Sequence, residues 1–140
     1  MTTARSEIID LDPGWAYDDA FPFTPARQIG NMIYVAGQVA LDPDGNLVGE
    51  GDIEAQTRQV FANIRTILAL AGAGFEDIVK LNAYVTDRSH YRSTIKVRKE
   101  LFIKHPAATV VIVAGLGSPQ WLIEVDVVAV APDLTVNRST

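Results

Sequence analysis

The longest regular apolar pattern in the chain lies between residues 53 and 71. Ile53, Thr57, Val60, Phe61, Ile64, Ile67, Leu68 and Ala71 recur at helical intervals and form one stripe. Asp52 precedes the stripe as an N-cap, with its charge at the positive end of the helix dipole. Gly72 and Gly74 follow as C-terminal caps. The period then changes. Over residues 78–86, Val79, Leu81, Ala83 and Val85 alternate with Lys80, Asn82, Tyr84 and Thr86, which predicts a strand with one apolar face. A second helix is expected from residue 89 to about 104, packing through Tyr91, Ile95 and Phe102 with Thr94, Val97 and Leu101 beside them. Pro106 stops it.

Strands bracket these helices. Residues 27–29 and 32–35 flank Gly30-Asn31, a pair that tolerates positive φ, so they predict a hairpin. Residues 42–46 form a turn cluster. Residues 109–114 are a β-branched run, and over 122–131 Ile123, Val125, Val127 and Ala129 alternate with Leu122, Glu124, Asp126, Val128 and Val130. Residues 7–10 can add a first edge. The order β-β-α-β-α-β-β gives an α+β fold, a sheet of five to six strands with two helices on one face. Residues 109–114 and 127–131 are apolar on both sides, so both sides of the sheet must be buried. With no chain left to cover the second face, another subunit is the economical cover.

Composition narrows the function. The 140 residues include no cysteine, which excludes thiolate catalysis, Cys-ligated zinc and iron–sulfur clusters. A net charge of −5 argues against duplex nucleic acid or an anionic membrane as the main partner. No apolar run approaches the ~20 residues that span a bilayer. A cytoplasmic protein is expected, organised as one domain over 1–140 with an N-terminal arm (1–20) and a polar, fraying tail (133–140). Trp15, Tyr17, Phe21 and Phe23 mark residues 10–25 as a segment packed on the body. Asp42, Asp44 and Asn46 are spaced like a calcium loop but lack its distal glutamate, so no metal is expected.

Several stretches carry a resemblance when taken in order. They are IGNMIYVAGQ (29–38), GDIEAQTRQV (51–60) with Asn63-Ile64, Ala71-Gly72-Ala73, Asp77-Ile78-Val79-Lys80, Tyr84-Val85-Thr86-Asp87, His105-Pro106-Ala107 and IEVDVVAV (123–130). From about Phe21 to Pro132 the chain resembles the Rid/YjgF family of reactive-intermediate deaminases, also called L-PSP endoribonuclease-like proteins. The resemblance implies a chorismate-mutase-like fold of the bacillus type. It further implies a homotrimer with a central barrel of sheets and three small-molecule sites at subunit interfaces. The family chemistry is hydrolysis of enamines and imines to ketones and ammonia, with no cofactor.

One departure bears on substrate. In deaminating members Pro-Ala is followed by an arginine whose fork holds the substrate carboxylate, and then by Ser or Thr. Here the run is Pro106-Ala107-Ala108-Thr109. Losing that contact removes about 1.5–3 kcal/mol of binding. Ile95 stands at an asparagine position, Phe23 at a tyrosine and Asp126 at a glutamate. Together these changes imply a pocket retuned to a less anionic, more apolar ligand.

Asp126 is the leading catalytic candidate, a strand carboxylate that could position or protonate water; its structural alternative is an ion pair across an interface. Glu124 shares its face, as an acid/base partner or as a solvated edge residue. Thr109 offers a hydroxyl or is simply a β-branched strand residue. The resemblance places main-chain groups of Gly37 and Val110 at the ligand. Gln38 either bonds ligand or satisfies a turn, and Trp121 either lids the pocket or packs at a subunit boundary. Arg27 and Arg98 could replace the missing guanidinium, although surface ion pairs are the default for both. His90 and His105 have no triad partners and read as surface or capping residues. Three functions remain: a cofactor-free hydrolase, a non-catalytic metabolite-binding homotrimer, and the RNA cleavage known for some relatives, against which the acidic balance counts.

Overall fold

The computed structural model describes residues 7–132. The strands are β1 (Ile8–Leu11), β2 (Ala26–Ile29), β3 (Met32–Gln38), β4 (Ile78–Val85), β5 (Ala107–Ile112) and β6 (Ile123–Val130), and the helices are α1 (Ile53–Ala69) and α2 (Tyr91–Leu101). One sheet has the order β1-β2-β3-β6-β4-β5. Only β4 and β5 run parallel, joined through α2; every other pairing is antiparallel. The tail assigned to 133–140 lies outside the described residues.

Both helices pack on one face. Ile33 and Val35 of β3, Leu81, Ala83 and Val85 of β4 and the Ile123–Ala129 alternation of β6 meet the α1 stripe in a single core. The Asp52 carboxylate accepts a hydrogen bond from the Ala55 N–H at 3.1 Å, which starts α1, and Gly72 at φ +71° turns the chain out after it. The β2–β3 hairpin turns at Gly30, φ +57°.

Three expectations need correction. Val79 does not share the core face, because β4 bulges there: Ile78 pairs with Ala129 and Lys80 with the adjacent Val128. The extra residue is pushed outward and Ile78 takes its place inside. The second helix ends at Leu101, well before Pro106, because Phe102 turns into the core to stack on Phe75 (4.9 Å) and meet Phe61 edge-on (5.5 Å). Its packing face is also rotated. Thr94, Val97 and Arg98 are buried, whereas Tyr91 is exposed and Ile95 half-buried.

The other face of the sheet has no covering layer among the described residues. Ile8, Ile29, Tyr34 and Val111 are exposed on it, with Met32, Val128 and Val130 half-buried between them. In-register pairs Tyr34–Val128 and Met32–Val130 make its centre apolar.

Gln56 ties the core to the loop before β6. It is fully buried; its amide nitrogen donates to the carbonyls of Gly49 and Gln120 (both 3.0 Å), and its oxygen accepts from the Leu122 N–H (2.9 Å). These bonds hold the chain on both sides of Trp121. Gln56→Leu keeps the volume but strands one buried donor and two carbonyls, at about 1–3 kcal/mol per unsatisfied group. We expect a fall of about 2–4 kcal/mol in unfolding free energy by urea titration, together with a red-shifted Trp121 emission as its loop loosens.

Candidate functional site

A pocket of about 210 Å³ opens where β3 and β6 begin to diverge. Its floor is set by a second bulge. Val35 pairs with Val127 but Gln38 with Val125, so β3 carries one extra residue through Ala36 and Gly37. Glu124 of β6 lies directly over Gly37. A Cβ at position 37 would sit 2.8 Å from the Glu124 carboxyl carbon and from Oε2, so any side chain there would push this carboxylate aside. Gln38 is buried beside it, its amide donating to the Ala36 carbonyl at 3.1 Å.

The N-terminal arm builds one wall. Trp15 stacks on Tyr17 (5.8 Å), Tyr17 meets Phe21 edge-on (6.4 Å) and Phe21 stacks on Phe23 (5.4 Å). The Ala16 N–H bonds the Pro43 carbonyl at 3.0 Å, and Tyr17 packs on Gly45, so the arm is anchored to the 42–46 turn. The opposite wall is Trp121, folded against Gly117, where a Cβ would fall 2.9 Å from the indole.

This surrounding sets the state of Glu124. Burial raises its pKa first, and the negative charge of Asp126, two residues along on the same face, raises it further. A carboxyl whose pKa is raised holds its proton more tightly and is a stronger base once it has lost it, which suits both halves of a proton transfer. Asp126 stands outside the pocket. Its Oδ1 accepts from the Asn82 amide at 2.9 Å. Its charge and hydrogen bond lift the Tyr84 hydroxyl above its usual range.

The sequence pattern of the endoribonuclease L-PSP family matches residues 16–131 of the chain. The chain belongs to the Rid/YjgF family. A RutC family protein of Pyrococcus abyssi is 35% identical over 108 residues, 77% of this chain and 85% of its own length. The structure of a Rid family protein from Yersinia pestis superposes with a TM-score of 0.82 at 30% identity, over 89% of this chain and 99% of that one. Yeast Mmf1 also gives 0.82 at 30% identity, covering 90% of this chain and 100% of its own.

The site residues expected from the Rid/YjgF resemblance fall into two groups. Phe23, Gly37, Gln38 and Trp121 line the Glu124 pocket together. Ile95, Ala108, Thr109 and Val110 do not reach it. Ile95 lies on α2. Ala108 and Val110 are on the helix side of β5, and Thr109 is on the open side, where its hydroxyl accepts from the Lys80 ammonium at 2.9 Å. β5 is separated from β6 by β4, two strand spacings of about 4.8 Å. Asp126 lies between the groups. Arg27 pairs with Asp10 at 2.9 Å in the open, the surface ion pair that was its default reading.

Sequence reasoning ranked Glu124 below Asp126 and gave no role to Gln56. Alternation places both carboxylates on one face and cannot separate them. The available signal was Gly37, whose missing side chain makes the space that Glu124 occupies.

Proposed function

We propose that the protein is a cofactor-free hydrolase of the enamine/imine deaminase type, acting in clefts between the subunits of a homotrimer. The observation that carries this reading is Glu124, a half-buried carboxyl of raised pKa in an aromatic-walled pocket. Chemically the demand is small. An enamine takes a proton at carbon from the protonated Glu124 carboxyl to become an iminium, and water adds to the C=N carbon as the Glu124 carboxylate accepts its proton. The same carboxyl then returns that proton to nitrogen, ammonia leaves, and the remaining hydroxyl proton passes back to Glu124 to give the ketone and restore the acid. The aromatic walls shield the cation from bulk water and stabilise it through their ring faces.

The two groups of site residues support the oligomeric part. Within one chain they lie on separate strands, and a second copy set against the open sheet face could join them into one cleft. Ala108 at the arginine position favours a substrate without a carboxylate at that point. A non-catalytic metabolite-binding trimer would use the same cleft.

The test is to generate 2-iminopropionate or 2-iminobutyrate in the presence of semicarbazide and follow semicarbazone formation. We expect weak suppression by the wild type and stronger suppression by Ala108→Arg, because the fork restores about 1.5–3 kcal/mol of carboxylate binding. Absence of suppression by both proteins, extended to imines that lack a carboxylate, would leave the binding trimer as the correct reading.

A further inference from the structure

Among the described residues, Arg98 is the one long cationic side chain that the fold buries. It is only 9% exposed, its Nε lies buried with no hydrogen-bond partner, and it forms no ion pair among the described residues. Glu100, two residues along the same helix, is engaged with Arg58. A guanidinium does not escape this situation by losing its proton, so the buried Nε–H is left without the hydrogen bond that its burial calls for. Burial pushes its pKa down, and only the neighbouring Tyr91 opposes that.

Arg98 opens onto a recess of about 170 Å³ that it lines with Ile95, Lys99 and His105. Arg98 is the buried member, whereas Lys99 and His105 stand exposed at the rim. The recess is smaller than the roughly 300–1,000 Å³ of drug-sized ligand sites and suits one functional group. Its setting is electropositive. Arg88, Arg92, Lys96, Arg98, Lys99 and Lys104 are half of the chain's 12 Lys and Arg, gathered in 17 consecutive residues that hold a single acid, Glu100. In a chain of net charge −5, this concentrates a positive field around one cavity.

We propose that this recess binds a small oxyanion, a carboxylate or phosphate group, with the Arg98 guanidinium as its principal contact and Lys99 and His105 at its mouth. The planar guanidinium fork matches both groups. The recess shares no lining residue with the Glu124 pocket, and of the residues expected at the substrate cleft only Ile95 lines it.

Thermal melts with chloride as the sole counter-anion set the baseline, and phosphate or acetate is then titrated in at constant ionic strength. The wild-type melting temperature rises and saturates with phosphate, acetate or both; the stronger of the two identifies a phosphorylated or a carboxylate ligand. Lys99→Gln weakens the apparent affinity roughly two- to fivefold, the effect of losing one exposed charge contact. Arg98→Met keeps the apolar stem, melts above the wild type in the baseline buffer and does not respond to either anion. Should that variant fail to fold, the Arg98 Nε–H resonance of the wild type provides the readout, shifting saturably with the anion. The proposal is overturned if the wild type responds to phosphate and acetate no more than to chloride, if Arg98→Met retains the response, or if the Nε–H resonance does not move.

Discussion

Glu124→Gln is expected to lower imine turnover by about 10²- to 10⁴-fold, the usual contribution of a positioned acid–base group, with little change in KM. Glutamine fills the space over Gly37 but cannot exchange a proton. The same substitution is expected to stabilise the fold near neutral pH, and the sign follows from linkage. Burial lifts the folded-state pKa of Glu124 above its ordinary value of 4.5. Below the unfolded-state pKa the carboxyl is protonated in both states and costs nothing. As pH rises, the unfolded chain ionises first and gains relative to the folded one. The penalty is complete once pH exceeds the raised folded pKa. Urea midpoints for Glu124→Gln and wild type should therefore coincide at acid pH and separate, with the variant higher, towards neutrality. A variant with unaltered turnover, or one equally stabilised at every pH, would remove Glu124 from the chemistry.

That prediction concerns a residue which the pattern of the chain placed but did not rank. What the sequence shows well is local periodicity: α1 follows from its stripe and caps, β6 from strict alternation, and the β2–β3 turn from Gly30-Asn31. What it hides is register between distant segments. The bulges at Val79 and at Ala36-Gly37 exist only relative to their partner β6, so alternation along β4 or β3 alone cannot reveal them. The second bulge decides which carboxylate enters the pocket, and the arm carrying Trp15 and Phe23 decides that a pocket exists there at all. Arg98 was hidden for a related reason. A cation in a basic stretch of helix reads as solvated, and only the rotated packing face of α2 turns it inward.

Val128→Asp is expected to convert the assembled protein into folded monomers. Val128 sits at the centre of the uncovered sheet face, in register with Tyr34 on one side and Lys80 on the other. Tyr34 is half exposed in the single chain, far more than an aromatic ring at mid-sheet retains once a second layer covers it. A carboxylate at this point would be desolvated on assembly, with Asp126 two residues away on the same face as a like charge and the in-register Lys80 ammonium already donating to Thr109. Truncating or mispairing buried interfacial charges costs about 2–5 kcal/mol at each contact, and a symmetric trimer incurs that cost at every interface. The helix-side core is untouched, because Val128 points away from it, so far-ultraviolet circular dichroism should match the wild type. Sedimentation velocity at micromolar concentration should then show trimers for the wild type and monomers for the variant. Turnover should fall with assembly even though Glu124, Gly37 and Trp121 stay in place, because the proposed cleft draws Ile95, Ala108, Thr109 and Val110 from another copy. Monomeric wild type, or a monomeric variant with full turnover, would show that the aromatic pocket of one chain is the whole site and that its open face serves some other purpose.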